Sequence, residues 1–169
     1  MKIKLTNELC YLSGLVSRFR EDNNAIGIKT NRRSMEENFI SLVLKFFKIP
    51  PNKLVIEEND DGSRHIFFYH SKINREIKYV LKNKVKLFKF PTPQSRSYLG
   101  GLFDASGHFN DNIFSINALS LQDKMIFENL GVHLSGSKIL SQRTFYSLIK
   151  GFSVLSEELI NKKGKSYQL

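Results

Sequence analysis

Residues 97–109 read SYLGGLFDASGHF. The run Tyr98, Leu99, Leu102 and Phe103 has helical spacing, yet Gly100 and Gly101 sit in its middle. A glycine in a helix interior costs about 1 kcal/mol against alanine, so a pair of them needs a reason. The same pattern occurs earlier in the chain. Residues 11–16 are YLSGLV and residues 98–103 are YLGGLF, 87 positions on. Helices that cross closely need small residues where they touch, because a Cβ would hold the backbones apart. Ser13 and Gly14 in one copy, and Gly100 and Gly101 in the other, are the expected contact between two such helices.

The repeat extends beyond the helices. An alternating segment follows each: AIGIKT at 25–30 and NIFSIN at 112–117. Alternation of this kind argues strand. Ser34-Met-Glu-Glu37 and Ser120-Leu-Gln-Asp123 come next, each a serine with an acid three residues on, the pattern of a helix-opening capping box. Apolar residues at helical spacing follow, Phe39, Ile40, Val43, Phe46 and Phe47 in one copy and Met125, Ile126 and Leu130 in the other. A hairpin is then expected in each half. The first pairs 53–57 with 64–69 around Asp61-Gly62, a strong turn signal; the second, shorter, covers 137–146. Final helices are expected at 71–82 and 147–161, each preceded by a Phe-Tyr pair, 68–69 and 145–146. This divides the chain into an N-terminal repeat (1–83), a linker (84–94) containing Pro91 and Pro93, and a C-terminal repeat (95–169), folded as one compact unit about a pseudo-twofold axis.

The chain has 169 residues, with 26 Lys and Arg against 16 Asp and Glu, a net charge of +10. Such a surplus favours a polyanionic partner, nucleic acid above all. The single cysteine, Cys10, permits no intrachain disulfide and no cysteine zinc cluster. An intracellular, reducing compartment, the cytoplasm or an organelle matrix, is expected. The first residues lack the apolar core of a signal peptide. The longest apolar segment, 40–49, is interrupted by Lys45 and Lys48 and is too short to span a bilayer, so no membrane association is expected. The four histidines show no metal-binding spacing, and no phosphate-cradling glycine loop is present.

LSGLVSRFR (12–20) and LGGLFDASG (99–107) resemble the LAGLIDADG motif, which occurs twice in single-chain homing endonucleases. The second copy keeps Leu99, Gly101, Leu102, Asp104, Ala105 and Gly107; the first keeps Leu12, Gly14 and Leu15. The resemblance covers nearly the whole chain. It implies an α+β fold, a duplicated αββαββα unit in which the motif helices form the central interface and two antiparallel sheets form a saddle over the DNA major groove. It also implies that the last acid of each motif binds the divalent ions that cut the two strands. Here those positions carry Phe19 and Ser106. A phenyl ring cannot ligate a hard cation, and a hydroxyl brings no charge, whereas Mg²⁺ prefers carboxylate and phosphate oxygens. Two-metal cleavage depends on that charge, so no catalytic residue and no metal site are expected, with Mg²⁺ required only if cleavage is retained. Asp104 reads as structural, bonding local backbone, and Ser106-Gly107 as the end of the helix, with the glycine in a left-handed cap or tight turn. Acids that could substitute are Glu21, Asp22 and Asp111, all within turn-forming clusters.

On a saddle, outward-facing strand residues would contact nucleic acid. In the first half these are Arg18, Arg20, Lys29, Arg32, Arg33 and Arg64, with His65 open. In the second they are His108, Asn110, Ser115, Asn117, Lys138, Gln142 and Arg143. Arg, Asn and Gln can read base edges in the major groove, and Lys and Arg can hold phosphates. The reading is a monomeric double-stranded-DNA-binding protein of homing-endonuclease type that no longer cuts. The alternatives are a divergent active endonuclease dependent on Mg²⁺, a maturase or ribonucleoprotein component bound to structured RNA, and a protein-binding module on the same scaffold.

Overall fold

The computed structural model describes residues 3–19, 24–110 and 113–162. Helix α1 (Asn7–Val16) starts at Thr6, whose hydroxyl accepts from the Leu9 N–H at 3.2 Å. Helix α4 (Pro93–Ser106) starts at Thr92 with a capping box to Ser95, and Pro93 occupies the first turn, where a missing N–H costs nothing. These two motif helices cross at the centre of the molecule. A Cβ on Gly14 would lie 2.2 Å from the Tyr98 carbonyl oxygen, and one on Gly101 would lie 2.1 Å from that of Tyr11. The two contacts are the same contact made from opposite sides, as a pseudo-twofold axis requires. Gly100 departs from expectation. It faces the Phe152 carbonyl oxygen, which a Cβ would meet at 2.2 Å, so it admits the turn before the last helix and takes no part in the helix crossing. Ser13, at the matching position, is buried and donates to the Leu9 carbonyl at 2.7 Å.

After α1 come β1 (Ala25–Thr30), α2 (Arg33–Lys45), β2 (Val55–Glu58), β3 (Arg64–Tyr69) and α3 (Ser71–Leu87). The described strands form an antiparallel sheet in the order β1-β3-β2. After α4 come β4 (Gly107–Asn110), β5 (Ile113–Ile116), α5 (Leu121–Asn129), β6 (Leu134–Ser135), β7 (Lys138–Ile139), α6 (Gln142–Ile149) and α7 (Val154–Lys162). The second sheet is antiparallel in the order β4-β5-β7-β6. A single apolar cluster joins both halves. It contains Leu12, Ile28, Phe39, Ile66, Phe68, Leu99 and Phe103 among others. In the second half, Phe103 meets Phe114 and Phe145 with ring centroids 5.5 and 5.6 Å apart, and Phe127 meets Phe145 at 5.7 Å. Much of the chain's phenylalanine is therefore core.

Several elements differ from the sequence expectation. Helix α3 does not stop at 82 but runs to Leu87, and α4 begins at Pro93, so the connection is 88–92 rather than 84–94. What carries α3 onward is Lys84, buried at the helical spacing of Ile73, Ile77 and Val80. Its ammonium reaches Asp123 of α5 at 2.5 Å, Ser120 at 3.2 Å and Tyr98 at 3.3 Å. Ser34 does not cap α2. The Thr30 hydroxyl accepts from the Arg32 N–H at 3.0 Å, the chain turns earlier, and Arg32 becomes an N-cap without a side-chain bond. Ser120 does cap α5, with both bonds of the box present. The expected hairpin at 137–146 shrinks to the two-residue strands β6 and β7. Phe145, Leu148 and Ile149 are buried from one helical face, which makes 142–149 helix and places Phe145-Tyr146 inside α6. The expected helix 147–161 is accordingly two, broken where Gly151 takes φ +77°. Gly107 has φ −83° and ψ 152°, extended rather than left-handed; it is small because a Cβ would meet the Phe103 ring at 2.2 Å.

Candidate nucleic-acid interface

Strand alternation fixes what each sheet presents. In β1, Ile26 and Ile28 point to the core and Lys29 points out. Register pairs Lys29 with His65 and Gly27 with Phe67, so Lys29, His65, Phe67 and Tyr69 share the outer face. Arg64 falls on the opposite face, at its rim. There Glu36 of α2 lies 3.0 Å from its guanidinium and Glu58 lies 2.8 Å away. This corrects the placement of Arg64 on the outer face, which parity reserves for its neighbour His65. The His65 ring is buried and meets the Phe19 ring edge-on at 5.9 Å. In the second sheet Phe109, Phe114 and Ile116 point to the core. Register places His108 beside Ser115 and Ser115 beside Lys138, with Asn110 on the same side. The Asn117 amide lies 2.9 Å from the His108 ring nitrogen Nε2. The structure thus groups His108, Asn110, Ser115, Asn117 and Lys138 as the sequence pattern predicts.

The remaining candidates divide. Gln142 belongs to α6, where it accepts from the Phe114 N–H at 2.8 Å and donates to the Ile139 carbonyl. It completes the sheet's own hydrogen bonding and is not an outward strand residue. Arg143 is exposed on the same helix, off the strands. Arg33 is exposed on α2 and paired with Glu37 at 2.8 Å. The side chain of Arg18 is only 26% exposed and approaches Asp123 at 3.7 Å, withdrawn from the sheet face. Arg20, with Glu21, Asp22 and Asp111, lies outside the described residues. Phe67 and Tyr69 were missed as outer-face residues, although they alternate with the core residues Ile66 and Phe68 and share the parity of His65.

A cleft of about 450 Å³ opens where the two motif helices end. Its lining includes Phe19 and Ser106 together, with Arg18, Lys29, Arg32 and His108 around them. Ser106 is committed locally, donating to the Leu102 carbonyl at 3.2 Å. Asp104 is the carboxylate among the described lining residues, and it is 7% exposed. It accepts from the Tyr11 hydroxyl at 2.6 Å, the Ser153 hydroxyl at 2.6 Å, and the N–H groups of Val154 and Leu155 at 3.0 and 2.9 Å. Its partners lie across the helix crossing and at the start of α7, not in the local backbone as the sequence suggested. Burial pushes its pKa up, while the bonds from Ser153, Tyr11, Leu155 and Val154 hold it down; burial prevails. The same burial, with Asp104 adjacent, pushes the Tyr11 hydroxyl well above its ordinary value, so it stays a donor.

Among the described lining residues, the donor set of this cleft does not suit a divalent cation: a ring, a hydroxyl already engaged and a carboxyl with four donors on it leave no charged oxygen to offer, and Arg18, Lys29 and Arg32 around them are cationic. Among the described residues no cluster of three His, Cys, Asp or Glu side chains is placed to hold a metal ion.

No protein-family model matches the chain, and no curated protein sequence matches it. Solved structures do. The structure of mesophilic variants of the homing endonuclease I-DmoI matches with a TM-score of 0.64 at 16% identity, over 86% of this chain and 96% of that one. I-DmoI in complex with DNA and Ca matches with a TM-score of 0.65 at 14% identity, over 96% of this chain and all of the other (100%). I-DmoI in complex with DNA and Mn matches at 0.63 and 14%, over 86% and 97%. The chain has the α+β LAGLIDADG homing-endonuclease fold, with its two antiparallel sheets.

Proposed function

We propose that this chain, built on a homing-endonuclease fold, binds double-stranded DNA across its two sheets and has lost the centre that cuts it. One observation carries the loss. At the joint end of the motif helices, the positions that hold the family's metal-binding acids present the Phe19 ring, packed on His65, and the Ser106 hydroxyl, bonded to Leu102. The neighbouring Asp104 is fully engaged as an architectural acceptor. Charge supports the binding half of the proposal. The cleft is bordered by Arg18, Lys29, Arg32 and His108, and the net charge is +10. Lys29, Arg32 and Lys138 are suited to phosphates. His108, Asn110, Ser115 and Asn117 carry the donors and acceptors that base edges match.

The test is a binding selection from a random duplex DNA pool in the presence of Mg²⁺ at two salt concentrations, with recovered strands sequenced and checked for nicks. Enrichment of an asymmetric, unnicked sequence is expected, with affinity falling as salt rises. Nicks at the centre of the enriched sequence would overturn the assignment of Phe19 and Ser106. Failure to enrich any sequence would remove duplex recognition.

A further inference from the structure

We infer that a cavity at the N-terminal ends of the motif helices binds a short aliphatic diamine or guanidino-amine, a use separate from the nucleic-acid cleft at their other ends. The cavity, about 250 Å³, lies between the first turns of α1 and α7, and Asn38 of α2 and Ser97 of α4 complete its wall. Two carboxylates, Glu8 and Glu157, line it in a chain whose net charge is +10. Among the described residues neither has a cationic partner, unlike Glu36, Glu37 and Glu58 elsewhere on the surface. Ser97 is 2% exposed, yet its hydroxyl makes no hydrogen bond among the described residues. A buried hydroxyl without a partner is uncommon. This one lines the cavity, where a ligand can supply the missing bond.

The groups left open in this cavity are acceptors. Backbone N–H groups that begin α7 are already engaged: those of Val154 and Leu155 donate to Asp104, and that of Ser156 donates to the Ser153 hydroxyl. At the start of α1, the Leu9 N–H donates to Thr6. These helix starts therefore offer little to an anion. The same network orients the Asn38 amide. Tyr11 donates its proton to Asp104 at 2.6 Å, so its oxygen accepts from the Asn38 amide nitrogen at 2.8 Å, and the Asn38 carbonyl oxygen is left without a donor among the described residues. That oxygen, the Ser97 Oγ and two carboxylates make a set that suits N–H donors. Charge balance sets a second requirement. A dication neutralises both carboxylates, whereas a monocation leaves one unpaired beside it. Leu42 and Phe152 supply apolar wall, against which a methylene chain packs while its charged ends reach polar groups. The cavity is smaller than the range of about 300–1,000 Å³ usual for larger ligands, which limits the occupant to a short chain and excludes a nucleotide.

The experiment is calorimetric titration of agmatine and putrescine into the full chain, with butanediol, the uncharged analogue of putrescine, as control. No nucleic acid is present, so its outcome is independent of the DNA proposal. Both amines are expected to bind saturably at one site per chain, and butanediol not to bind. Glu8→Gln/Glu157→Gln is expected to weaken the amines at least about tenfold, through loss of charge-assisted hydrogen bonds. Ser97→Ala removes a hydroxyl that bonds nothing in the protein. It is expected to leave the melting temperature unchanged and to weaken the amines roughly threefold. The absence of saturation at millimolar amine would overturn the inference. Undiminished binding by the folded double variant would do the same, reducing the amines to general charge, and butanediol binding as tightly as putrescine would make the cavity merely apolar. Tighter binding of the peptide acetyl-Gly-Arg-Gly-amide than of agmatine would give the site to a side chain of a protein partner and overturn the small-amine assignment.

Discussion

A methyl group on Gly101 would stand 2.1 Å from the carbonyl oxygen of Tyr11, and one on Gly14 would stand 2.2 Å from that of Tyr98. Both obstacles are backbone, so only separation of the helices can relieve them. Overpacking of this kind costs about 1–3 kcal/mol, and the expected result for Gly14→Ala or Gly101→Ala is at least that loss in urea unfolding. A variant as stable as the parent would show that the crossing is looser than described. The cleft offers a second test at the same scale. Phe19→Asp with Ser106→Asp places two carboxylates at the joint end of the helices. The double variant is expected to bind Mn²⁺, read by loss of the free-ion resonance signal, and to gain Mg²⁺-dependent nicking. Silence in both assays would show that restoring these two carboxylates does not by itself rebuild a metal centre. Asp104 was visible in the sequence as structural, but its partners were not. Tyr11, Ser153, Val154 and Leu155 are remote along the chain, and only the helix crossing brings them together.

At the scale of elements, the two predicted capping boxes behave differently. Ser120 and Asp123 exchange both bonds, whereas Ser34 lies inside a helix that starts before it. Ser120→Ala is expected to cost about 1 kcal/mol, more through its bond to Lys84, and Ser34→Ala close to nothing; equal losses would contradict the described start of α2. Lys84 and Asp123 join α3 to α5 out of water, 2.5 Å apart. Removing one partner of a buried pair leaves an uncompensated charge, and Lys84→Met is expected to cost about 3–5 kcal/mol. The pH dependence follows from Asp123. Burial alone would raise its pKa, but hydrogen bonds from Lys84, Ser120 and Tyr98, with the charge of Lys84, bring it below the ordinary value. A lowered carboxyl pKa gives stability that is present above the unfolded-state pKa and lost as pH falls through the folded-state one. Lys84→Met is therefore expected to flatten the loss of stability on acidification, measured by melts from neutral pH downward. An unchanged acid limb would place the pH sensitivity elsewhere.

For the whole molecule, the duplication was legible because three landmarks recur in order: the glycine-bearing helix, the alternating strand and the serine-acid helix start. The first sheet was legible for the same reason, since Ala25–Thr30 alternates and Asp61-Gly62 turns. The end of the second half was not. Phe145, Leu148 and Ile149 carry helical spacing, but the precedent of Phe68-Tyr69 in the first repeat drew 142–146 into a strand. Divergence between repeats, not weak local signal, hid α6 and misplaced Gln142 and Arg143. The candidate surface was legible where alternation is clean, at His108, Asn110 and Ser115, and failed at Arg64, where parity puts the side chain on the other face.

The carboxyl of Asp104 has a consequence for how this sequence can drift. It ties α1, α4 and α7 together through four donors, so its replacement is punished whatever becomes of chemistry at the cleft. Ser106, two residues on, donates one local bond to the Leu102 carbonyl, and a change there disturbs no contact between helices. A saturation library scored only for folding should record that difference, intolerant at 104 and permissive at 106.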